Sequence, residues 1–251
     1  MVGSIIPDEY ERRARLYPVL LLSLPTAFAV ACWFPQFSWS QLIGGLVLPL
    51  VFTFLSQIGR DQGRKREPWL YQQWGGKPST VVLQHRSNHL PPQARERYHK
   101  RLEELLPGTR MPNRLSEGVD PTEADQIYDS CVHFLRERTR DKKTFPLVFA
   151  ENVNYGMRRN MWGMKPAAIV LCLVGLIASI LATILKIEGS QLPAVPTIAT
   201  LLNAAMLAFW SVRITPDWVR VPAFAYAEQL LSACDSLTPA PAHRPSGVPT
   251  E

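Results

Sequence analysis

Charged side chains are missing from four long stretches of this chain of 251 residues, and that absence determines its class. The stretches are residues 17–34, 41–58, 167–185 and 197–212, and none contains Asp, Glu, Lys, Arg or His. A helix that crosses the hydrocarbon core of a bilayer needs about 17–25 mostly apolar residues. The four runs therefore exclude an ordinary soluble protein and predict four transmembrane helices arranged in two pairs.

Ionisable residues inside the membrane are what proton- or ion-coupled transporters normally carry, and none of the four runs has one. That class of function therefore loses support. Among the polar residues of the runs, Asn203 is the best candidate for a hydrogen bond to a neighbouring helix, which contributes about 1 kcal/mol. A place on the wall of a pore is the alternative role of this residue.

Cysteine is scarce, and no two cysteines form a Cys-x-x-Cys pair. The four are Cys32, Cys131, Cys172 and Cys234. Their wide spacing argues against a zinc or disulfide framework. It predicts reduced side chains that pack as small hydrophobic groups.

Three histidines in the middle of the chain are the strongest candidates for catalytic or metal chemistry. No carboxylate or cysteine completes a metal-ligand set around His85, His89 and His99. Arg86 and Arg95 precede His89 and His99, but neither spacing is the one that ribonucleases of the helical HEPN type use. We therefore expect no metal, no cofactor, no catalytic residue and no enzyme activity.

Positive charge is concentrated beside the apolar runs, and the chain has a net charge of +6. The flanking basic residues are Arg12, Arg13, Arg15, Arg60, Arg64, Lys65, Arg66, Arg158, Arg159, Lys165, Arg213 and Arg220. The positive-inside rule places both termini and the middle of the chain in the cytoplasm of a bacterial inner (plasma) membrane. The same charge favours anionic lipid as a partner, and we do not expect nucleic acid.

Composition shifts sharply at Gly59 and at Lys165, which gives the predicted domain boundaries. The predicted fold is mainly α, a polytopic membrane protein with a mostly helical cytoplasmic insert. Its parts are a cytoplasmic N-terminal segment (1–16), a first transmembrane hairpin (17–58), a cytoplasmic domain (59–166), a second transmembrane hairpin (167–212), a cytoplasmic amphipathic helix (213–237) and a disordered tail (238–251).

Local signals in the cytoplasmic domain predict one strand and several helices. Residues 80–83 (TVVL) are apolar and β-branched and predict a short strand, for which the sequence identifies no partner. The pair Pro91-Pro92 opens a helix that extends to Leu106, and residues 109–119 are expected to form a loop. Asp120, followed by Pro121, has the pattern of a helix N-cap.

The segment at residues 144–166 concentrates aromatic, amide and cationic groups where the chain enters the third apolar run. At helical spacing, Asn152, Tyr155 and Arg159 share one face, while Glu151, Tyr155 and Arg158 share a neighbouring face. We interpret these residues as a candidate element that couples the cytoplasmic domain to the membrane helices. The alternatives are an interfacial linker that only anchors the third helix and a ligand or catalytic site.

The stretches WGGKPST…LQHR and FPLVFAENVNYGMRRNMWGMKP resemble a group of uncharacterised bacterial inner-membrane proteins with paired membrane helices around a cytoplasmic insert. The resemblance covers much of the chain and implies no activity and no catalytic residue. The layout is also similar to that of membrane effectors of bacterial conflict systems, such as the SLATT and four-helix pore-forming types.

The sequence supports two hypotheses about function. The first is an oligomeric channel-like or membrane-disrupting effector that its cytoplasmic domain gates. The alternative is a membrane-anchored scaffold that recruits a cytoplasmic protein partner. Kinked, uncharged helices with small residues, such as those around Pro25, Pro49 and Gly175, suit both a gated bundle and contacts between copies of the chain. We therefore expect the lipid bilayer and further copies of this chain as partners.

Overall fold

A computed structural model of the chain describes residues 9–34, 47–188 and 191–238. Helices dominate these residues and no strand occurs among them, which confirms the predicted mainly α class. The α-helices are α1 (Tyr17–Trp33), α2 (Val47–Trp74), α3 (Pro78–Val81), α4 (Pro92–Leu105), α5 (Arg114–Val119), α6 (Pro121–Arg138), α7 (Pro146–Leu185), α8 (Ala194–Ala208) and α9 (Pro216–Ser232). Two π-helical segments, π1 (Glu11–Leu16) and π2 (Phe209–Arg213), adjoin α1 and α8, and a 3₁₀ turn (Ala233–Ser236) follows α9.

Three helical stretches in the described part of the chain are long and apolar enough to cross a membrane. They are Glu11–Trp33, which combines π1 with α1, Pro146–Leu185, which is α7, and Ala194–Arg213, which combines α8 with π2. Large apolar side chains on these helices remain exposed, and Ile177 of α7 exposes 66% of its surface. Exposed aliphatic side chains along such a length are the pattern of a lipid-facing surface.

The second predicted span and the predicted C-terminal tail fall partly outside the described residues. Residues 41–46 and 239–251 are not described, and α2 begins at Val47. Within the described part of this run, Phe54 and Ile58 are exposed on α2. The arrangement of four spans in two pairs and the disorder of the tail therefore stay predictions.

The chain divides into two compact units. The first comprises Met1–Gln73 and Asn152–Ala223, and the second comprises Trp74–Glu151 and Phe224–Glu251. The core of the first unit is buried among apolar side chains of α1, α7, α8 and π2. Its buried members are Met161, Ala168, Cys172, Trp210 and Ile214.

The second unit has a core of its own. Within it, α3 and α5 contact α6, and α4 contacts the 3₁₀ turn after α9. The fully buried members of this core include Val82, Leu83, Leu102, Tyr128, Leu135, Leu230 and Leu231. Each buried aliphatic side chain contributes roughly 1.5–3 kcal/mol relative to its exposed state, so these helices are held by packing against one another.

Residues 80–83 form a helical turn and part of the turn after it, so the predicted short strand is wrong. Pro78 occupies the first position of α3, where its fixed φ suits a helix. The N–H of Val82 donates to the carbonyl of Pro78 at 3.1 Å. Val82 and Leu83 are fully buried, so the apolar run fills the core of the second unit. Four apolar residues are too few for periodicity to separate a strand from a helical turn.

Residues 109–119 contain α5, so the prediction of a loop there is also wrong. The side chain of Asn113 accepts bonds from the N–H groups of Leu115 and Ser116, and the Ser116 hydroxyl accepts from the N–H of Asn113. This is a reciprocal capping box. The sequence pattern did not reveal it because Ser occupies the position at which Glu or Gln usually completes the motif.

Other predicted helix starts are confirmed. Helix α4 begins at Pro92, and Asp120 caps α6 by accepting bonds from the N–H groups of Thr122 and Glu123 at 3.0 and 2.9 Å. All four cysteines are free and buried, as expected of small hydrophobic side chains.

Candidate functional site

Helices α2 and α7 cross at very short range in the first unit, because glycines face each other at the crossing. A Cβ atom added to Gly163 would lie 2.4 Å from the backbone N of Gly63, and one added to Gly63 would lie 2.6 Å from Oδ1 of Asn160. Gly59, one turn earlier on α2, packs against the sulfur of Met164. Gly59 and Gly63 have the Gly-x-x-x-Gly spacing that lets two helices approach closely. The backbones are therefore in contact at this crossing.

A buried ion pair also joins α2 to α7. Nη1 of Arg159 donates to Oε1 of Glu67 at 2.8 Å, and the two side chains are 10% and 19% exposed. The hydroxyl of Tyr155 donates to the same oxygen at 2.8 Å. The hydroxyl oxygens of Tyr71 and Tyr155 are 3.3 Å apart. Since Tyr155 gives its only proton to Glu67, Tyr71 is the donor in that contact.

The network pairs one carboxylate with one guanidinium, and the phenol of Tyr71 stays protonated. Burial and the nearby Glu67 carboxylate raise the pKa of Tyr71 above its ordinary value, so Tyr71 remains a hydrogen-bond donor at neutral pH. A buried ion pair is maintained only when its remaining polar atoms find partners. Here Tyr155 supplies that partner to Glu67.

Asn160 connects α7 to π1. Its Nδ2 donates to the carbonyl of Ala14 at 2.8 Å, while its Oδ1 accepts from Nε and Nη2 of Arg159 at 3.3 and 3.2 Å. In π1 the N–H of Tyr17 donates to the carbonyl of Arg12, five residues earlier instead of four. Such a segment misaligns the backbone groups of the helix. The buried amide of Asn160 provides a bond to one of them.

On the other side of α7, Lys165 and Arg158 also donate hydrogen bonds to backbone carbonyls of neighbouring segments. Nζ of Lys165 donates to the carbonyls of Ser211, within π2, and Ile214, just after it, at 2.9 and 2.7 Å. Nη1 of Arg158 donates to the carbonyl of Trp218 in α9 at 2.8 Å. The α7 hub is the set Tyr155, Arg158, Arg159, Asn160 and Lys165.

The α7 hub holds four segments of the first unit together: π1, α2, π2 and the first turn of α9. Its donors bind backbone carbonyls and one carboxylate, so the arrangement is suited to holding helices. Segments of π-helix are rare and frequently occur at functional sites. Conversion of a π segment to regular α-helix shifts the register by one residue and rotates the rest of the helix by about 100°. The α7 hub therefore binds the two π segments whose change of register would rotate the adjoining apolar helices α1 and α8.

The structure joins two of the predicted coupling residues, Tyr155 and Arg159, around Glu67, while Arg158 contacts α9 on the other side of α7. Tyr155, Arg158 and Arg159 belong to the α7 hub. Asn152 is half-buried and is not a member of the hub. Glu151 belongs to the second unit. The role of the segment as a coupling element stays a prediction.

Sequence reasoning missed the partners on α2. Glu67 and Tyr71 lie beyond the second apolar run, in a stretch that was assigned to the cytoplasmic domain. The available signal was Gly59-x-x-x-Gly63, which indicates a close helix crossing even though charged residues occupy two of its three intervening positions. Asn160 was missed because a single amide between Arg159 and Met161 has no signature of its own.

Asn203 lies where α1, α7 and α8 meet. It is fully buried, and neither of its amide atoms has a hydrogen-bond partner in the described part of the chain. A Cβ atom added to Gly175 would lie 2.9 Å from Oδ1 of Asn203 and 2.8 Å from the carbonyl oxygen of Pro25. The expected interhelical hydrogen bond is therefore not found among these residues, because the amide packs over Gly175 and not against a donor.

The second unit contains a separate polar cluster around Glu117. This buried carboxylate accepts bonds from the N–H groups of His85 and Arg86 at 2.7 and 3.0 Å and from the hydroxyl of Tyr128 at 2.7 Å. Burial by itself would raise the pKa of Glu117, but these donors outweigh it and hold the pKa below its ordinary value. Glu117 thus stays ionised and ties His85 and Arg86 to α5 and α6.

Three histidines of the second unit, His85, His89 and His99, have structural partners. Nε2 of His99 lies 2.8 Å from the carbonyl of Leu83 and therefore carries a proton. Burial lowers the pKa of His99. The ring of His85 stands edge-on to that of His99 at 5.0 Å, and His89 pairs with a carboxylate of α9. No group of three or more His, Cys, Asp or Glu that could hold a metal occurs in the described residues.

No protein-family model, no curated protein and no solved structure matches this chain. The apolar helices and the α7 hub are therefore the basis on which its function is inferred.

Proposed function

We propose that this protein is an oligomeric, channel-like or membrane-disrupting effector of the bacterial inner membrane. Its α7 hub holds the membrane helices closed until the cytoplasmic domain releases them. In the proposed topology four helices span the membrane in two pairs and both termini are cytoplasmic, in agreement with the positive-inside rule. The three candidate spans and the exposed apolar side chains of α2 support this topology.

The observation that carries the proposal is the binding of both π segments by side chains of one helix. Asn160 bonds the carbonyl of Ala14 in π1, and Lys165 bonds the carbonyl of Ser211 in π2. A gate needs an element with two discrete arrangements whose equilibrium a signal can shift. A π segment is such an element, because it can lose its extra residue to the neighbouring helix.

The ion pair between Glu67 and Arg159 is the proposed point at which the signal acts. The chain passes between the two units at residues 73–74, 151–152 and 223–224. The first two of these junctions lie within about two helical turns of Glu67 and of Arg159 along the sequence. A ligand or partner bound by the second unit would thus act on α2 and α7 close to the ion pair that joins them.

A leakage assay tests the proposal. The purified full-length protein is reconstituted into vesicles loaded with a self-quenched dye, and dye release is compared between the wild type and Lys165→Met. Loss of the ammonium group leaves the carbonyls of Ser211 and Ile214 without their donor. The closed arrangement is then weakened, and we expect release at least about tenfold faster, the factor that a change of 1.4 kcal/mol produces.

Lys186→Met is the matched control. Nζ of Lys186 also donates to a backbone carbonyl, that of Cys32 at 2.6 Å, but no π segment lies at that end of α1 in the part of the chain that the structure describes. We expect release from this variant at the wild-type rate. Equal release from Lys165→Met and Lys186→Met, with both proteins folded by size-exclusion chromatography, would contradict the gate.

A membrane-anchored scaffold is the second candidate, and one observation favours it. Leu115 and Val119, one turn apart on α5, expose 82% and 87% of their surface in the second unit. Exposed aliphatic side chains of this size are candidates for contact with a protein partner. The scaffold predicts that Leu115→Asp with Val119→Asp removes a stoichiometric co-purifying protein and leaves vesicle leakage unchanged. Loss of leakage control in that variant would argue for the effector.

A further inference from the structure

In the first unit, one tryptophan of α9 contacts two arginines, Arg158 of α7 and Arg213 at the end of π2. The guanidinium carbon of Arg158 lies 4.8 Å from the centre of the Trp218 ring, and that of Arg213 lies 5.6 Å from the same centre. Both distances are within the range of cation–π contacts. Arg158 also donates to the carbonyl of Trp218. Both guanidinium groups therefore lie against one ring, so an anion held beside that ring is within reach of either of them.

The basic groups at this place are the side chains of Arg158, Lys165 and Arg213, and the acidic residue Asp217 precedes Trp218 in the chain. Nζ of Lys165 binds the carbonyls of Ser211 and Ile214, which stand on either side of Arg213 in the chain. Arg213 is exposed and forms no ion pair with a carboxylate of the described residues. Cations that share one ring repel each other. An anion bound between them would remove that repulsion.

The position along the helix indicates where such an anion would come from. The candidate span Ala194–Arg213 ends at Arg213 itself. The residue that ends a span lies at the level of the lipid headgroups, where tryptophan and arginine are favoured. Val212 and Val221, close to this cluster in the chain, expose 76% and 66% of their surface. A ligand with a charged head and an apolar body fits these surroundings better than a free ion.

We propose that Arg158, Arg213 and Trp218 form a binding site for the headgroup of an anionic phospholipid. The phosphate accepts hydrogen bonds from the guanidinium groups, which suit planar recognition of phosphate oxygens. The acyl chains lie along the exposed aliphatic surface of α8 and π2. This inference goes beyond the proposed gating and does not depend on it.

Native mass spectrometry of the full-length protein tests the site. The protein is purified in mild detergent and mixed with phosphatidylglycerol or with phosphatidylethanolamine as the zwitterionic comparison. We expect Arg213→Gln to lower phosphatidylglycerol binding about fivefold, the contribution of one basic side chain at an anionic lipid surface. Arg213→Lys, which keeps the charge but not the planar fork, should fall between Arg213→Gln and the wild type.

Arg12→Gln is the matched control, because Arg12 is another exposed arginine near the end of a candidate span. Equal phosphatidylglycerol binding by Arg213→Gln and Arg12→Gln would overturn the site. Equal binding of the two lipids by the wild type would also overturn it. Displacement of the lipid by excess inorganic phosphate would assign the cluster to a soluble anion and refute the lipid as its ligand. Dye leakage is a separate measurement, so failure of the gate and failure of the lipid site are distinguishable.

Discussion

Removing the charge of Glu67 should destabilise the first unit more than an ordinary ion-pair mutation does. The change Glu67→Gln keeps the shape of the side chain and keeps an oxygen for Tyr155. It leaves the guanidinium of Arg159, only 10% exposed, without its counter-charge. Oδ1 of Asn160 remains as an acceptor at 3.2–3.3 Å, but an amide oxygen does not replace a carboxylate.

The size of the effect depends on the burial of the pair. Breaking a buried ion pair by removing one partner costs about 3–5 kcal/mol. Glu67 and Arg159 keep some contact with solvent, so we expect the lower end, about 3 kcal/mol. For a protein of about 150–250 residues, each kcal/mol lowers the melting temperature by about 2–4 °C. Glu67→Gln should therefore lower it by about 6–12 °C. The double change Glu67→Met with Arg159→Met removes both charges and should recover at least half of that loss.

Thermal unfolding in one detergent and at one scan rate, followed by tryptophan fluorescence, measures these shifts. Asp129→Asn is the matched control, because Asp129 pairs with Lys77 at 2.6 Å and both side chains are about half exposed. An exposed pair contributes about 0–1 kcal/mol, so this control should shift the melting temperature by less than about 4 °C. If Glu67→Gln shifts it no further than Asp129→Asn, the argument that α2 and α7 are locked by a buried pair is wrong.

Other parts of the structure support three further predictions. Gly163→Ala places a Cβ atom 2.4 Å from backbone, whereas Gly118→Ala meets nothing within 4 Å. We expect the first change to lower the melting temperature by at least about 4 °C and the second to leave it nearly unchanged. Equal shifts would show that α2 and α7 are not in backbone contact. Asn203→Leu removes two buried polar atoms that have no partners in the described part of the chain. This change should stabilise the first unit by about 1 kcal/mol or more. A lower melting temperature would mean that the amide has a partner. Since burial lowers the pKa of His99, unfolding takes up a proton below about pH 6.5, so the second unit should lose stability as pH falls from that value, by at most about 1.4 kcal/mol per pH unit. Hydrogen exchange of residues 92–105 measures this loss, and His99→Gln should abolish it. A second loss of stability at lower pH should persist in that variant, because the lowered pKa of Glu117 stabilises the fold only while Glu117 is ionised.

Features that depend on a few neighbouring residues could be predicted from the sequence. The starts of α4 and α6 were predicted because Pro92 and the pair Asp120-Pro121 act on the backbone of their own turn. The presence of apolar helices long enough to cross a membrane was predictable, because the bilayer sets the length that such a helix needs. The turn at residues 80–83 was not predictable, since a short apolar run is consistent with either structure until its neighbours in the core are known.

The sequence by itself determined that this is a mainly helical protein with apolar helices long enough for a membrane, because composition and length alone decide that. Only the tertiary structure paired Glu67 with Arg159, placed Asn160 against π1 and Lys165 against π2, and left Asn203 without a partner among the described residues. These contacts join residues distant in sequence, and the approach of two glycine surfaces decides which of them meet. A hydrogen bond between residues 92 positions apart, as from Arg159 to Glu67, leaves no periodic signal in either segment. Its presence depends on how the helices cross, which no local pattern specifies.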